Sequence, residues 1–104
     1  MEKTAIKFKT NANAGGTSLK GYINIPYNEL VKVLGDPDEM NGDKTLAEWC
    51  LKFEDDTIAT IYDWKNYGAD VETITNWHIG GHDLNAVDKI KELFPNYKVT
   101  KDIW

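Results

Sequence analysis

His78, His82 and Asp83 stand together in "WHIGGHD", and these residue types hold metals and move protons. Histidines four apart share one face of a helix and chelate from there. Gly80 and Gly81 lie between these two and break any helix, so Cys50 or Asp63 would have to complete a ligand set. No metal or other cofactor is expected. Glycines ahead of a helix also expose amide groups to an anion. Asp83, however, puts negative charge where a phosphate would sit, and the chain has neither a dinucleotide fingerprint nor a P-loop lysine. The expected role of the pair is a tight strand-to-helix turn with positive φ angles.

Other chemistry finds less support. Cys50 falls in mid-strand among apolar neighbours and Ser18 is the only serine, and neither sits in a nucleophile motif. Asp36 and Asp38 in "DPDEMNGDK" resemble the start of a calcium loop. Met40 occupies a ligand position there, Gly42 comes one residue late, and no glutamate closes the loop. Glu48 and Asp63 are the carboxylates whose pairing would matter most for acid–base work, and a single small sheet gives such a pair little depth.

The elements that must position these residues follow from periodicity. Residues 4–10 alternate Ile6 and Phe8 against Lys7 and Lys9, as a strand with one wet face does. "TSLKGYINI" places Leu19, Ile23 and Ile25 on one side. "PYNELVKVLGDP" predicts a helix: Pro26 at its start, a stripe of Tyr27, Leu30, Val31 and Leu34, then a Gly35 cap and Pro37. With Asp55-Asp56 as a two-residue turn, Phe53 faces Ile58, Leu51 faces Thr60, Trp49 faces Tyr62, and Ala47 faces Trp64. That register turns Asp63 away from the core, opposite Glu48. "NWHIG" is a short strand with Trp77 and Ile79 on one side and His78 on the other, broken by Gly80-Gly81. "DLNAVDKIKELFPN" is a second helix with Asp83 as N-cap and Leu84, Val87, Ile90 and Phe94 buried. The tail, "YKVTKDIW", supplies an optional edge strand. The expected fold is α+β, a single domain over residues 1–104. About five antiparallel strands carry two helices on one face, in the order β-β-α-β-β-β-α.

Charge narrows the partners. All 12 basic residues are lysines, and the absence of arginine forks argues against reading bases or gripping phosphates in a specific way. A net charge of −5 works against non-specific nucleic-acid binding. Residues 1–35 carry five lysines and two acids, whereas residues 36–104 carry seven lysines and fifteen acids, an acidic surface suited to a basic partner. One cysteine, no apolar run of membrane-spanning length and no signal-peptide pattern make a cytoplasmic location the expectation.

"GYINIPYNELVKVLGDP", "KTLAEWCLKFEDDTIATIYDWKNYG" and "WHIGGH" together resemble a family of small uncharacterised proteins encoded in tailed-bacteriophage genomes. The resemblance spans roughly residues 20–90, and its most specific parts are Glu48-Trp49, "ATIYDWK" and "WHIGG". A looser similarity, "ELVKVLGDP" followed by tryptophan-bearing strands, is to the helix-then-sheet modules of beta-lactamase-inhibitor-like proteins, and bears on fold alone. The phage resemblance assigns no catalytic residue. It implies a non-enzymatic protein-binding module in the host cytoplasm that blocks a host protein, such as a CRISPR nuclease or another defence enzyme. The contact surface expected from the residues combines Asp63, Lys65 and Tyr67 with His78 and His82 of the glycine turn. A nucleotide-binding sponge and a plain structural domain are the alternatives. The sequence does not fix the oligomeric state.

Overall fold

Strand alternation, two helix stripes and a few close-approach glycines account for the path of the chain. The computed structural model describes residues 7–13, 15–40, 46–64 and 70–102. In chain order these form β1 (Phe8–Lys9), β2 (Ser18–Asn24), α1 (Tyr27–Leu34), β3 (Glu39–Met40), β4 (Ala47–Phe53), β5 (Ile58–Tyr62), a 3-10 turn (Val71–Thr73), β6 (Asn76–Gly81), α2 (Asn85–Leu93) and β7 (Lys98–Lys101). Every strand pair is antiparallel, in the order β1-β4-β5-β6-β2-β7, and β3 shares the outer edge of β4 with β1. Both helices pack on one face, so the α+β expectation holds. The sheet is larger than expected. Glu39–Met40, expected to belong to an acidic loop, pairs with β4, and Lys98–Lys101 fills the optional edge position beside β2. Residues 4–6 of the expected first strand lie outside the described residues.

The core is built around two indoles. Trp49 of β4 and Trp77 of β6 meet edge to face at 5.5 Å, and the Tyr27 ring of α1 lies 6.0 and 6.2 Å from them. A buried indole N–H must find an acceptor. Trp49 donates to the Gly35 carbonyl (2.9 Å) and Trp77 to the Ile25 carbonyl (3.0 Å), which pins both ends of α1 to the sheet. Gly35 adopts φ +85° and its N–H closes the helix on the Val31 carbonyl, as its sequence position predicts.

Two expectations about glycine and capping change. Gly80 and Gly81 continue β6 rather than break it, and neither has a positive φ. They are required by crowding: a Cβ on Gly81 would sit 2.4 Å from the Ala86 Cβ, so this glycine lets α2 lie directly on the sheet. Asp83 caps a turn that precedes α2, its Oδ1 accepting from the Asn85 N–H (2.9 Å). Helix α2 therefore starts later, burying Ala86, Val87 and Ile90, while Leu84 stays 36% exposed.

The largest correction concerns the β4–β5 hairpin. Its loop has three residues, not two: the Asp56 N–H donates to the Phe53 carbonyl and the Phe53 N–H to the Thr57 carbonyl, both at 2.9 Å. Asp56 takes φ +71°, the left-handed position that a three-residue hairpin loop demands and that aspartate tolerates better than most residues. The pairs become Lys52–Ile58, Leu51–Ala59, Cys50–Thr60, Trp49–Ile61 and Glu48–Tyr62. A one-residue slip exchanges the two faces of a strand. Ala59 and Ile61 thus enter the core, and Tyr62 moves to the opposite face.

Candidate functional site

The slip decides what each predicted site residue touches. Asp63 is 0% exposed, on the core side of the sheet, and does not oppose Glu48. Its Oδ1 accepts from the backbone N–H groups of Leu46 (2.7 Å) and Ala47 (3.0 Å), fixing the start of β4. A carboxylate held by amides inside the protein is structural and presents no surface to a partner. Lys65 and Tyr67 lie outside the described residues. His82 is exposed beyond the end of β6, beside a hollow of about 320 Å³ that Asp55, Asp56, Asp83 and Asn85 also line. His78 sits mid-strand on the other side of the sheet from the helices, so the two histidines do not converge. Among the described residues, no group of three or more His, Cys, Asp or Glu is placed to hold a metal.

What the register assembles instead is a row across five strands. Glu48, Tyr62, His78, Tyr22 and Thr100 are successive cross-strand partners on the face without helices. Tyr22 meets His78 edge to face at 5.2 Å, and His78 meets Tyr62 at 5.4 Å. Trp64, two residues beyond Tyr62, adds a further edge-to-face contact at 6.4 Å and is 43% exposed. These offset contacts let each ring present its positive edge to a neighbour's negative face. In the adjoining row Cys50, Thr60 and Gly80 are partners, and the Cys50 thiol donates toward the Glu48 carboxylate at 3.8 Å. A Cβ on Gly80 would lie 2.5 Å from Thr60 Oγ1 and 3.4 Å from Tyr62 Cε1. Glycine there leaves the room in which the Thr60 hydroxyl and the Tyr62 ring lie.

The electrostatics match a half-buried surface. Burial pushes the Tyr62 phenol up, and the Glu48 charge adds to it. Burial pushes His78 below its usual value of 6.5, against the opposing pull of the Asp63 and Asp102 charges. His78 is thereby favoured as a neutral ring among rings. Of this row the sequence singled out His78 and Glu48, the latter with Asp63 as its expected neighbour. It missed Tyr22, and it turned Tyr62 and Trp64 inward, because a two-residue Asp55-Asp56 turn sets that register, where the loop has three residues. The available signal was the "EDDT" turn, in which an aspartate takes the left-handed position.

Comparison with protein-family models, with curated proteins and with solved structures yields no match to this chain. No helix among the described residues is long and apolar enough to cross a membrane.

Proposed function

We propose that the chain is a protein-binding module that docks its partner on the open face of the sheet, with Tyr22, Tyr62, Trp64 and His78 as the central contacts. The observation that carries this reading is the continuous edge-to-face row of four rings, on the face opposite both helices of the described residues. Tyrosine and tryptophan dominate the energetics of protein interfaces, and a large, ordered aromatic surface loses little conformational freedom on binding. All-lysine basicity and a net charge of −5 favour a protein over a phosphate backbone as partner. The phage resemblance points to a bacterial host protein, and a defence or nucleic-acid enzyme, whose working surface is basic, suits this charge.

The test is partner capture from bacterial cells by tagged wild-type protein and by a Tyr22→Ala/Trp64→Ala double variant. A host protein retained by the wild type and lost from the folded double variant supports the reading. Equal recovery by both would place binding elsewhere. At the centre of an interface each such truncation weakens binding by about 2 kcal/mol or more.

A further inference from the structure

The two edges of the sheet are finished differently. At one edge β1 and β3 are strands of two residues each. At the other, β7 runs four residues and, among the described residues, pairs only with β2. The Asp102 N–H donates to the Lys20 carbonyl at 2.8 Å, which sets the parity of this antiparallel ladder. Lys98, Thr100 and Asp102 therefore turn their backbone groups toward β2, and Val99 and Lys101 direct their N–H and C=O to the open edge. Such an unpaired row is a template for another strand.

The side chains alternate as well. Thr100 is the partner of Tyr22 in the open-face row, so Lys98 and Asp102 share that face. Val99 and Lys101 lie on the helix side, where Asp88 of α2 holds the Lys101 ammonium at 3.1 Å. Lys98 and Asp102 are too far apart along one strand to meet, about 13 Å at about 3.3 Å per residue. Among the described residues neither forms a salt bridge.

We propose that β7 pairs with β7 of a second copy of this chain, antiparallel about a two-fold axis at Thr100, with Lys98 of each copy opposite Asp102 of the other. Charge selects both the occupant and the register. The outward groups of Val99 and Lys101 must meet the same groups of the other copy. Val99 opposite Val99 would set Lys98 against a neutral threonine, and Lys101 opposite Lys101 would bring two cations together. Val99 opposite Lys101 places lysine against aspartate at both ends and threonine against threonine at the centre, pairings that stabilise adjacent strands. Edge lysines ordinarily deter pairing, and here Lys98 deters any strand that lacks an acid at the facing position. A four-residue edge buries less than the ~1,200 Å² of a lasting complex, so this dimer is a dissociable one. The pairing does not depend on what the open face binds. It would join the row that ends at Thr100 to its own copy across the axis.

The test is sedimentation velocity of the full chain from about 10 to about 500 µM, the range of weak association. A monomer–dimer equilibrium is expected, with the Val99 and Lys101 amides exchanging more slowly with deuterium as the dimer fills. Lys98→Glu and Asp102→Lys each set like charges opposite at both ends, and each should weaken dimerisation about tenfold or more. The combined swap restores the opposite charges and should recover most of the loss. Thr100→Cys gives a readout that needs no charge reversal. Its Cα lies about 4.5 Å from that of its copy in a non-hydrogen-bonded pair, within disulfide reach. On oxidation Thr100→Cys should cross-link into a dimer, and Lys98→Cys, far from its own copy, should not. A chain that stays monomeric throughout overturns the proposal and leaves the edge to an extended acidic segment of another protein. A dimer indifferent to both single reversals, or one that the folded swap fails to restore, overturns it as well, as does equal cross-linking of the two cysteine variants.

Discussion

Tyr62 and Asp63 are neighbours in the chain and belong to opposite faces of one sheet, and those faces spend their polar groups differently. On the helix side, Trp49 and Trp77 donate to carbonyls and Asp63 accepts from two amides, so polarity there is consumed in holding the fold. On the open side, Tyr22, His78, Tyr62 and Trp64 contact one another edge to face in a row of rings. The contrast shows that the charged residue between two aromatics was the structural one, and the aromatics were the surface.

The sharpest way to test this division is to truncate one large ring on each face. Trp77→Ala should remove about 3–5 kcal/mol in urea denaturation, enough to threaten folding, whereas Tyr22→Ala should remove about 1 kcal/mol. Equal losses would break the distinction. Asp63→Ala comes next, at about 2–3 kcal/mol, because the Leu46 and Ala47 amides would lose a charged acceptor inside the protein. A loss under about 0.5 kcal/mol would mean that water replaces the carboxylate and that Asp63 is no anchor.

The two consecutive glycines refine the comparison. Gly81→Ala forces a Cβ against Ala86 and lifts α2, for about 1–3 kcal/mol. Gly80→Ala presses on the Thr60 hydroxyl and the Tyr62 ring, which can turn away on a face without a helix, so its effect on stability should be smaller, about 1 kcal/mol. The smallest effect is the pH response of His78. Its folded pKa lies below 6.5, so between those values the unfolded chain binds the extra proton. Stability from this residue is complete above 6.5 and declines as the pH falls through that window. A melting curve followed from about pH 8 to about pH 5 should therefore slope downward on the acid side, less steeply in His78→Gln. An unchanged slope would mean that His78 is as solvated folded as unfolded.

Elements governed by local rules were legible in the sequence. Helix α1 announced itself through Pro26, its apolar stripe and Gly35, and the strand side of His78 followed from Trp77 and Ile79. Features set by tertiary contact were not. Gly80 and Gly81 look like a break until α2 and Thr60 are seen pressing on them. Asp83 looks like the helix cap until the preceding turn is counted. In β5 the bulkier residues face outward, against the usual assignment of bulk to the core, and only the left-handed Asp56 reveals it.

Loop Glu54–Asp56 keeps Phe53 opposite Thr57, and this divides the hairpin into positions with different tolerance of length change. Losing one loop residue would convert the loop to a two-residue turn with Phe53 still opposite Thr57 and every side chain on its present face. Losing one residue within Ile58–Tyr62 would instead bring Tyr62 inward and carry Asp63 out. Natural variation in chain length should therefore gather in the loop and avoid the strand, whose residue count acts as the frame in which both faces are written.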